Sequence, residues 1–312
     1  MSFASETKNE LARIIPEKKC CMLAQIMGFI RVNGSIILVG FGKFNIVVKT
    51  ENPAVARNFK TLIKEYFDVD TKLIVEENAG IRKTNLYSIT IDENKSKQIL
   101  REIGVLMVKE GNDYITDGLY FDVMKKKCCK KSCVRGLLMG SGTVIDPAKQ
   151  YRFEIISKTE QKANDIKRLL NTFYDIDAKV SYRNDSYVVY VTGAQSVSDL
   201  LALTGANNAM FELENVRITK DLHNKVNRIN NCDQANINKS LDASARYIDA
   251  IKKIDSIIGI HLLPEKLREV AELRINNPDV SLTELGKLLK APIQKAGVAK
   301  RLKKIVDIAD NL

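Results

Sequence analysis

Along the first two thirds of the chain, apolar and polar positions run through one order of elements twice. In the first pass, residues 19–31 are apolar enough for a buried helix. That helix ends at Gly34, where glycine's left-handed freedom suits a terminus. Residues 36–39 and 44–49 have strand composition around a Gly40-Phe41-Gly42 turn. Val55, Phe59, Leu62, Ile63 and Phe67 then fall at helical spacing. A second hairpin is predicted over 72–75 and 86–91, and a closing helix over 96–103. The second pass keeps this order, with strand, helix, strand, strand and helix predicted over 150–156, 160–173, 178–182, 187–191 and 197–203. Each pass reads as αββαββα, which makes the class α+β.

The residues repeat as well as the pattern, at an offset of about 108 positions by direct alignment. Ala24-Gln25-Ile26-Met27-Gly28-Phe29-Ile30-Arg31-Val32-Asn33-Gly34 is echoed by Cys133-Val134-Arg135-Gly136-Leu137-Leu138-Met139-Gly140-Ser141-Gly142. Each stretch sets a glycine among apolar residues and a second glycine six positions later. Tyr66-Phe67-Asp68-Val69-Asp70 likewise returns as Phe173-Tyr174-Asp175-Ile176-Asp177. Such a repeat is one folded unit duplicated in tandem. If its two glycine helices pack against each other, Gly28 and Gly136 belong at the crossing, where backbones approach too closely for larger side chains.

After residue 211 the strand signal stops. Residues 212–259 contain no proline and many Asn, Lys and Ala, and read as a helical linker broken near Asn230-Asn231. The asparagines of this segment, with Arg228 beside them, suit either capping and turn formation or contacts to phosphates and bases. Pro264 opens a third unit. Its first helix, over 265–275, places Leu267, Val270, Ala271 and Leu273 inward. Ser281-Leu282-Thr283-Glu284 is a capping box, and Leu282, Leu285, Leu288 and Leu289 follow at helical spacing. Lys290-Ala291-Pro292 breaks that helix, and a last helix turns Val298, Leu302 and Ile305 inward. Two short helices joined by a tight turn, with a supporting helix before them, make a helix-turn-helix. Gly286 lets its two helices approach closely.

Composition changes the picture at one point. The apolar fraction of 45% and charged fraction of 28% are ordinary, but the net charge of +11 points toward a polyanionic partner, usually nucleic acid. From residue 281 to 312, Lys287, Lys290, Lys295, Lys300, Arg301, Lys303 and Lys304 oppose Glu284, Asp307 and Asp310. Gln294 and Lys295 open the last helix, and Lys300 and Lys303 lie opposite its apolar stripe with Lys304 beside them. On the recognition helix of this motif, such a face favours DNA over a merely solvated surface. The run Lys125-Lys126-Lys127-Cys128-Cys129-Lys130-Lys131 fits either a solvated cationic surface or a phosphate contact. The six cysteines lack two separated Cys-x-x-Cys pairs, and His223 and His261 stand alone, so no metal or other cofactor is expected. No apolar run approaches the roughly 20 residues of a membrane span. Residues 2–8 lack the features of a secretion signal, so a cytoplasmic location is expected.

The repeated motif resembles the LAGLIDADG homing endonucleases. In that family two such helices pack through small residues at a pseudo-twofold axis, and each ends in a carboxylate that binds a catalytic divalent metal. The resemblance puts those carboxylates immediately before the terminal glycines, where this chain has Asn33 and Ser141. Hard divalent cations need anionic oxygen ligands, and both residues are neutral. Asp146 lies nearby, but its counterpart in the first repeat is Leu38, so no symmetric pair of acids is rebuilt.

A narrower resemblance runs the whole length. The opening Ser2-Phe3-Ala4-Ser5-Glu6-Thr7-Lys8, the stretch from Arg135-Gly136-Leu137 to Asp146-Pro147, Val226-Asn227-Arg228, Ser281-Leu282-Thr283-Glu284-Leu285-Gly286 and Pro292 to Val298 are similar to the WhiA family. These are DNA-binding regulators linked to sporulation and cell division. The resemblance implies a duplicated LAGLIDADG homing-endonuclease-like domain over 1–212, with repeats at about 1–110 and 117–212. A helical linker over 213–262 and an all-α helix-turn-helix domain over 263–312 complete it. Gln294-Lys295-Ala296 departs from the Ser-Lys-Ser associated with the family, which affects the expected DNA preference and not the fold.

These readings converge on a catalytically inactive, sequence-specific regulator of transcription. It is expected to bind double-stranded DNA through Gln294, Lys295, Lys300, Arg301, Lys303, Lys304 and Arg228. It is further expected to be a monomer with internal pseudo-twofold symmetry, to work at the nucleoid with the transcription machinery, and to have no membrane partner. The rivals are a metal-dependent endonuclease or intron-splicing protein, and a protein-interaction module.

Overall fold

In the computed structural model, which describes residues 2–40, 42–77 and 85–312, the two echoed glycine stretches form a pair of helices packed face to face. The chain divides into two units, Met1–Lys220 and Asp221–Leu312. In the first, α1 spans Phe3–Leu11 and the first glycine helix, α2, spans Lys19–Asn33. They are followed by β1 (Gly34–Gly40), β2 (Lys43–Thr50), α3 (Pro53–Phe67), β3 (Lys72–Glu77), β4 (Asn85–Ile91) and α4 (Glu93–Glu102). A hairpin of β5 (Leu106–Lys109) and β6 (Asn112–Ile115) and a 3-10 turn at Phe121–Met124 lead to the second glycine helix, α5 (Lys127–Ser141). The second repeat continues with β7 (Gly142–Val144), β8 (Arg152–Ser157), α6 (Glu160–Leu170), β9 (Lys179–Arg183), β10 (Ser186–Thr192) and α7 (Ala194–Thr204).

The duplication read from the residues is a duplication of topology. One antiparallel sheet has the order β1-β2-β4-β3 and the other β7-β8-β10-β9. Phe41 of the expected β1–β2 turn lies outside the described residues. Ile46 and Ile91, and Ile155 and Val189, send fully buried side chains into one core shared with α2 and α5. Three features of this unit differ from the sequence expectation. Helix α1, capped where the Ser2 hydroxyl accepts from the Ser5 amide, buries Phe3, Thr7 and Leu11. The β5–β6 hairpin was not expected, because its exposed residues carry no alternation. Gly34 is not left-handed: at φ −74° it continues into β1 in extended form, and a Cβ there would lie 2.6 Å from the Ile30 carbonyl oxygen. Close approach, not backbone freedom, selects this glycine.

Two polar side chains inside this core are held by hydrogen bonds. Arg31, 7% exposed, donates through Nη1 to the Thr116 carbonyl (2.7 Å) and through Nη2 to the Gly104 carbonyl (2.7 Å) and Thr116 Oγ1 (2.9 Å). Burial pushes its guanidinium down to about 10, against the opposing pull of Asp117 and Asp165. The carbonyls it holds flank the β5–β6 hairpin. Gln25, fully buried, accepts from Arg135 Nη1 (3.2 Å) and donates to Asn58 Oδ1 (3.2 Å).

Helix α8 runs Asn207–Ile257. The expected break at Asn230-Asn231 is absent, since the segment holds neither Pro nor Gly and interior Asn costs a helix well under 1 kcal/mol per residue. Its start gives Ala209 and Leu213 to the first core, and its end gives Ala250, Ile251 and Ile254 to the second. The second unit is completed by α9 (Glu265–Asn276), α10 (Leu282–Leu288) and α11 (Lys295–Asp310). Its core holds Leu267, Val270, Ala271, Leu285, Leu289, Val298, Leu302 and Ile305, as the periodicity predicts. Leu273 is only partly buried and Leu288 is exposed. The neighbouring Arg274 is buried instead, donating to the carbonyls of Val280 (2.8 Å) and Pro278 (3.2 Å).

Candidate nucleic-acid interface and the ends of the central helix pair

The helix-turn-helix is set by local chemistry at both ends of α10. The Ser281 hydroxyl accepts from the Glu284 amide (3.2 Å), and the Glu284 carboxylate accepts from the Ser281 amide (3.2 Å). The Ser281 hydroxyl also donates to the Glu284 carboxylate (2.8 Å), and this bond, with the one from the Ser281 amide, holds the Glu284 carboxyl below its ordinary range. At the turn, the Ile293 amide donates to the Gly286 carbonyl (3.1 Å), and a Cβ on Gly286 would strike the Ile293 carbonyl oxygen and lie 3.1 Å from Val298. Glycine is therefore what lets α10 and the start of α11 close on each other. With Val298, Leu302, Ile305 and Ala309 buried, α11 turns its other face outward. Gln294, Lys295, Lys300, Lys303 and Lys304 are exposed, and Arg301 is half-buried. Lys303 shares a shallow groove with Arg246, Tyr247 and Asp307. Arg228 is exposed on α8.

At the centre of the repeat unit, α2 and α5 run parallel, because residues near both N-termini meet and residues near both C-termini meet. A Cβ on Gly28 would strike the carbonyl oxygen of Cys133, and one on Gly136 the carbonyl oxygen of Gln25. Gln25 and Cys133 hold equivalent places in the two repeats, so the contacts are reciprocal, the signature of a twofold relation. Gly28 and Gly136 each face the partner helix's backbone, as the sequence expectation required.

Asn33 and Ser141 lie at the C-terminal end of this pair. The Asn33 amide donates through Nδ2 to the Gly140 carbonyl (3.0 Å) and accepts at Oδ1 from the Lys49 amide (3.2 Å). Ser141 donates to the Ile156 carbonyl (2.7 Å). Both side chains are thus tied to backbone, and a carboxylate at 33 could not make the donated bond. Lys8, Asn9, Asn33, Lys49 and Glu51 line a cleft of about 680 Å³ here. Burial lowers the Lys8 ammonium below its usual range. Asp146 spends a carboxylate oxygen on the Ala148 amide (2.8 Å) in its own turn.

The family model of the WhiA N-terminal LAGLIDADG-like domain matches residues 19–106, that of the WhiA LAGLIDADG-like domain residues 130–223, and that of the WhiA C-terminal HTH domain residues 226–309. The chain is 41% identical to the probable cell division protein WhiA of Alkaliphilus metalliredigens (strain QYMF) over 99% of its length and 98% of the relative's. The chain belongs to the WhiA family. The probable WhiA of Clostridium novyi (strain NT) is 39% identical over 100% of this chain and 98% of its own. The fold agrees with the crystal structure of full-length DUF199/WhiA from Thermatoga maritima, with a TM-score of 0.62 at 24% identity, covering 100% of this chain and 99% of that one. The WhiA relatives are named for cell division and not for a reaction.

One cluster in this WhiA chain escaped the sequence reading. The doublets Cys20-Cys21 and Cys128-Cys129 open α2 and α5 and meet at the N-terminal end of the pair. Carrying the repeat alignment four residues upstream of Ala24 would have paired them.

Proposed function

We propose that this protein is a sequence-specific regulator of transcription that binds double-stranded DNA and acts in cell division and sporulation. In this reading α11 enters the major groove. The observation that supports it best is the outer face of α11, where Gln294, Lys295, Lys300, Lys303 and Lys304 stand exposed on a helix fixed by the capping box and the Gly286 turn. Lys295 and Lys300, near the start and outer face of the helix, read base edges. Lys303, Lys304 and Arg301 hold the backbone, with Arg228 as a further phosphate contact. The protein acts as a monomer at the nucleoid, alongside the transcription machinery.

The repeat unit serves this function as a scaffold without nuclease activity. Asn33 and Ser141 offer neutral atoms already bonded to backbone, and among the residues lining the cleft beside them Lys8 and Lys49 stand with a single carboxylate, Glu51. Mapping binding sites across the genome, followed by salt titration of binding to a recovered site, tests the regulator reading. Steep salt dependence and discrimination against random DNA are expected. In the same experiment, supercoiled plasmid incubated with Mg²⁺ or Mn²⁺ should stay uncut. Chelator-sensitive cutting would overturn the scaffold reading and return the nuclease rival.

A further inference from the structure

The Sγ atoms of Cys20, Cys21 and Cys129 all lie within 4.8 Å of one another. The fourth thiol, Cys128, lies beside Cys21 and Cys129. Cys20 and Cys128 occupy equivalent places in the two repeats, as do Cys21 and Cys129, so four sulfurs gather around the pseudo-twofold axis. The remaining cysteines stand apart in role: Cys133 is fully buried where Gly28 crosses α5, and Cys232 is exposed on α8.

We propose that these four cysteines bind one zinc-type divalent metal ion that fastens α2 to α5. Four sulfurs are the donor set for zinc and other borderline or soft ions, and a poor one for magnesium or calcium. A Zn–S bond of about 2.3 Å makes the edges of a tetrahedral sulfur cage about 3.8 Å long. The separations among Cys20, Cys21 and Cys129 therefore close by about 1 Å or less, within reach of small side-chain rotations, and Cys128, beside Cys21 and Cys129, turns inward to complete the cage. Cys20 and Cys128 are only partly buried, which leaves the ion a path of entry. On binding, each thiol gives its proton to water and a sulfur electron pair to the metal.

The surroundings favour the anionic cage that results. Both doublets sit in the first turns of their helices, where unpaired backbone N–H groups and the positive helix ends stabilise thiolates. Lys18 acts electrostatically on Cys128, and Lys126 and Lys127 directly precede the second doublet. The metal-free expectation from sequence weighed each doublet alone. The folded chain supplies the second pair of ligands that the linear spacing lacked.

The full-length protein, purified in reducing buffer without chelator, should carry one zinc per chain by elemental analysis. After demetallation, cobalt(II) should give the thiolate-to-cobalt charge-transfer absorption and strong ligand-field bands of tetrahedral sulfur coordination. Cys20→Ser and Cys128→Ser, at partly buried positions, should weaken cobalt binding by more than the roughly 10–100-fold that loss of an outer-shell partner costs. Cys232→Ser should leave it unchanged. Circular dichroism identifies any variant that fails to fold, and the wild-type spectrum decides the question without any variant. Reduced protein that develops no cobalt absorption overturns the proposal. So does cobalt binding that survives both Cys20→Ser and Cys128→Ser, or that is lost in Cys232→Ser.

Discussion

Gly28 and Gly136 each leave no room for a side chain between the paired helices. Each faces a backbone carbonyl of the other helix at a distance no Cβ tolerates, and a backbone cannot turn aside as a flexible side chain can. Gly28→Leu or Gly136→Leu should therefore force α2 and α5 apart and destabilise the repeat unit by about 1–3 kcal/mol or more. Thermal unfolding followed by circular dichroism measures this, and an unchanged melting curve would mean that the helices do not need this approach. These glycines were legible in the sequence because they stood at the same place in both repeats. Arg31 and Arg274 were not, since long charged side chains are rarely fully buried and nothing local marks the carbonyls that receive them. The cysteine doublets were missed for a related reason, as ligand spacing was judged along the chain while the partners are joined only by the pairing of two distant helices.

Among elements, α11 is where the proposed function and the sequence pattern coincide most closely. Its buried residues were predictable from a 3.6-residue period, and the opposite face followed from them. The chemistry of each lysine follows from its place along the helix. Lys303→Ala or Lys304→Ala should weaken binding to all DNA alike and flatten the salt slope by about one unit each. Lys300→Ala or Lys295→Ala should instead narrow the gap between operator and random DNA, by about 1–3 kcal/mol where a bidentate base contact is lost. Binding titrations at several salt concentrations on both kinds of DNA separate the two outcomes. Equal losses from all four substitutions would remove the division between reading and holding. Element boundaries were less legible than element types: strands β1 and β2 extend one or more residues beyond their predicted ends, because pairing with a neighbour lengthens a strand past its hydrophobic run.

At the scale of the molecule, the second core reaches back into α8 for Ala250, Ile251 and Ile254. A fragment beginning at Pro264 would leave the apolar faces of α9 and α11 without those partners. One beginning at Asp221 keeps them. The longer fragment should unfold cooperatively and retain part of the DNA preference, while the shorter should show a broad, weak transition; denaturant titration of both is the measurement. Two transitions of equal sharpness and midpoint would show that the end of α8 is dispensable. The long helix was only half legible, since its helical character followed from the absence of strand and proline signals, whereas its continuity through Asn230-Asn231 depends on small propensity differences.

That continuity leaves one stretch of α8 unusually bare. Every residue from 221 to 242 is exposed, including Leu222, Val226, Ile229, Ile237 and Leu241. No packing adds to its backbone hydrogen bonds, so these turns rest on propensity alone, and isolated helices of this kind are marginal in water. The cost of melting a few turns here is far below the cost of opening either core. The segment should thus act as a fuse in the chain, parting before either core does. Amide hydrogen exchange should run orders of magnitude faster over 221–242 than in α2 and α5, and a protease at low dose should cut there before anywhere in the two cores. DNA or a partner that laid itself along those turns would slow both, which makes the rate of this one opening a direct readout of engagement.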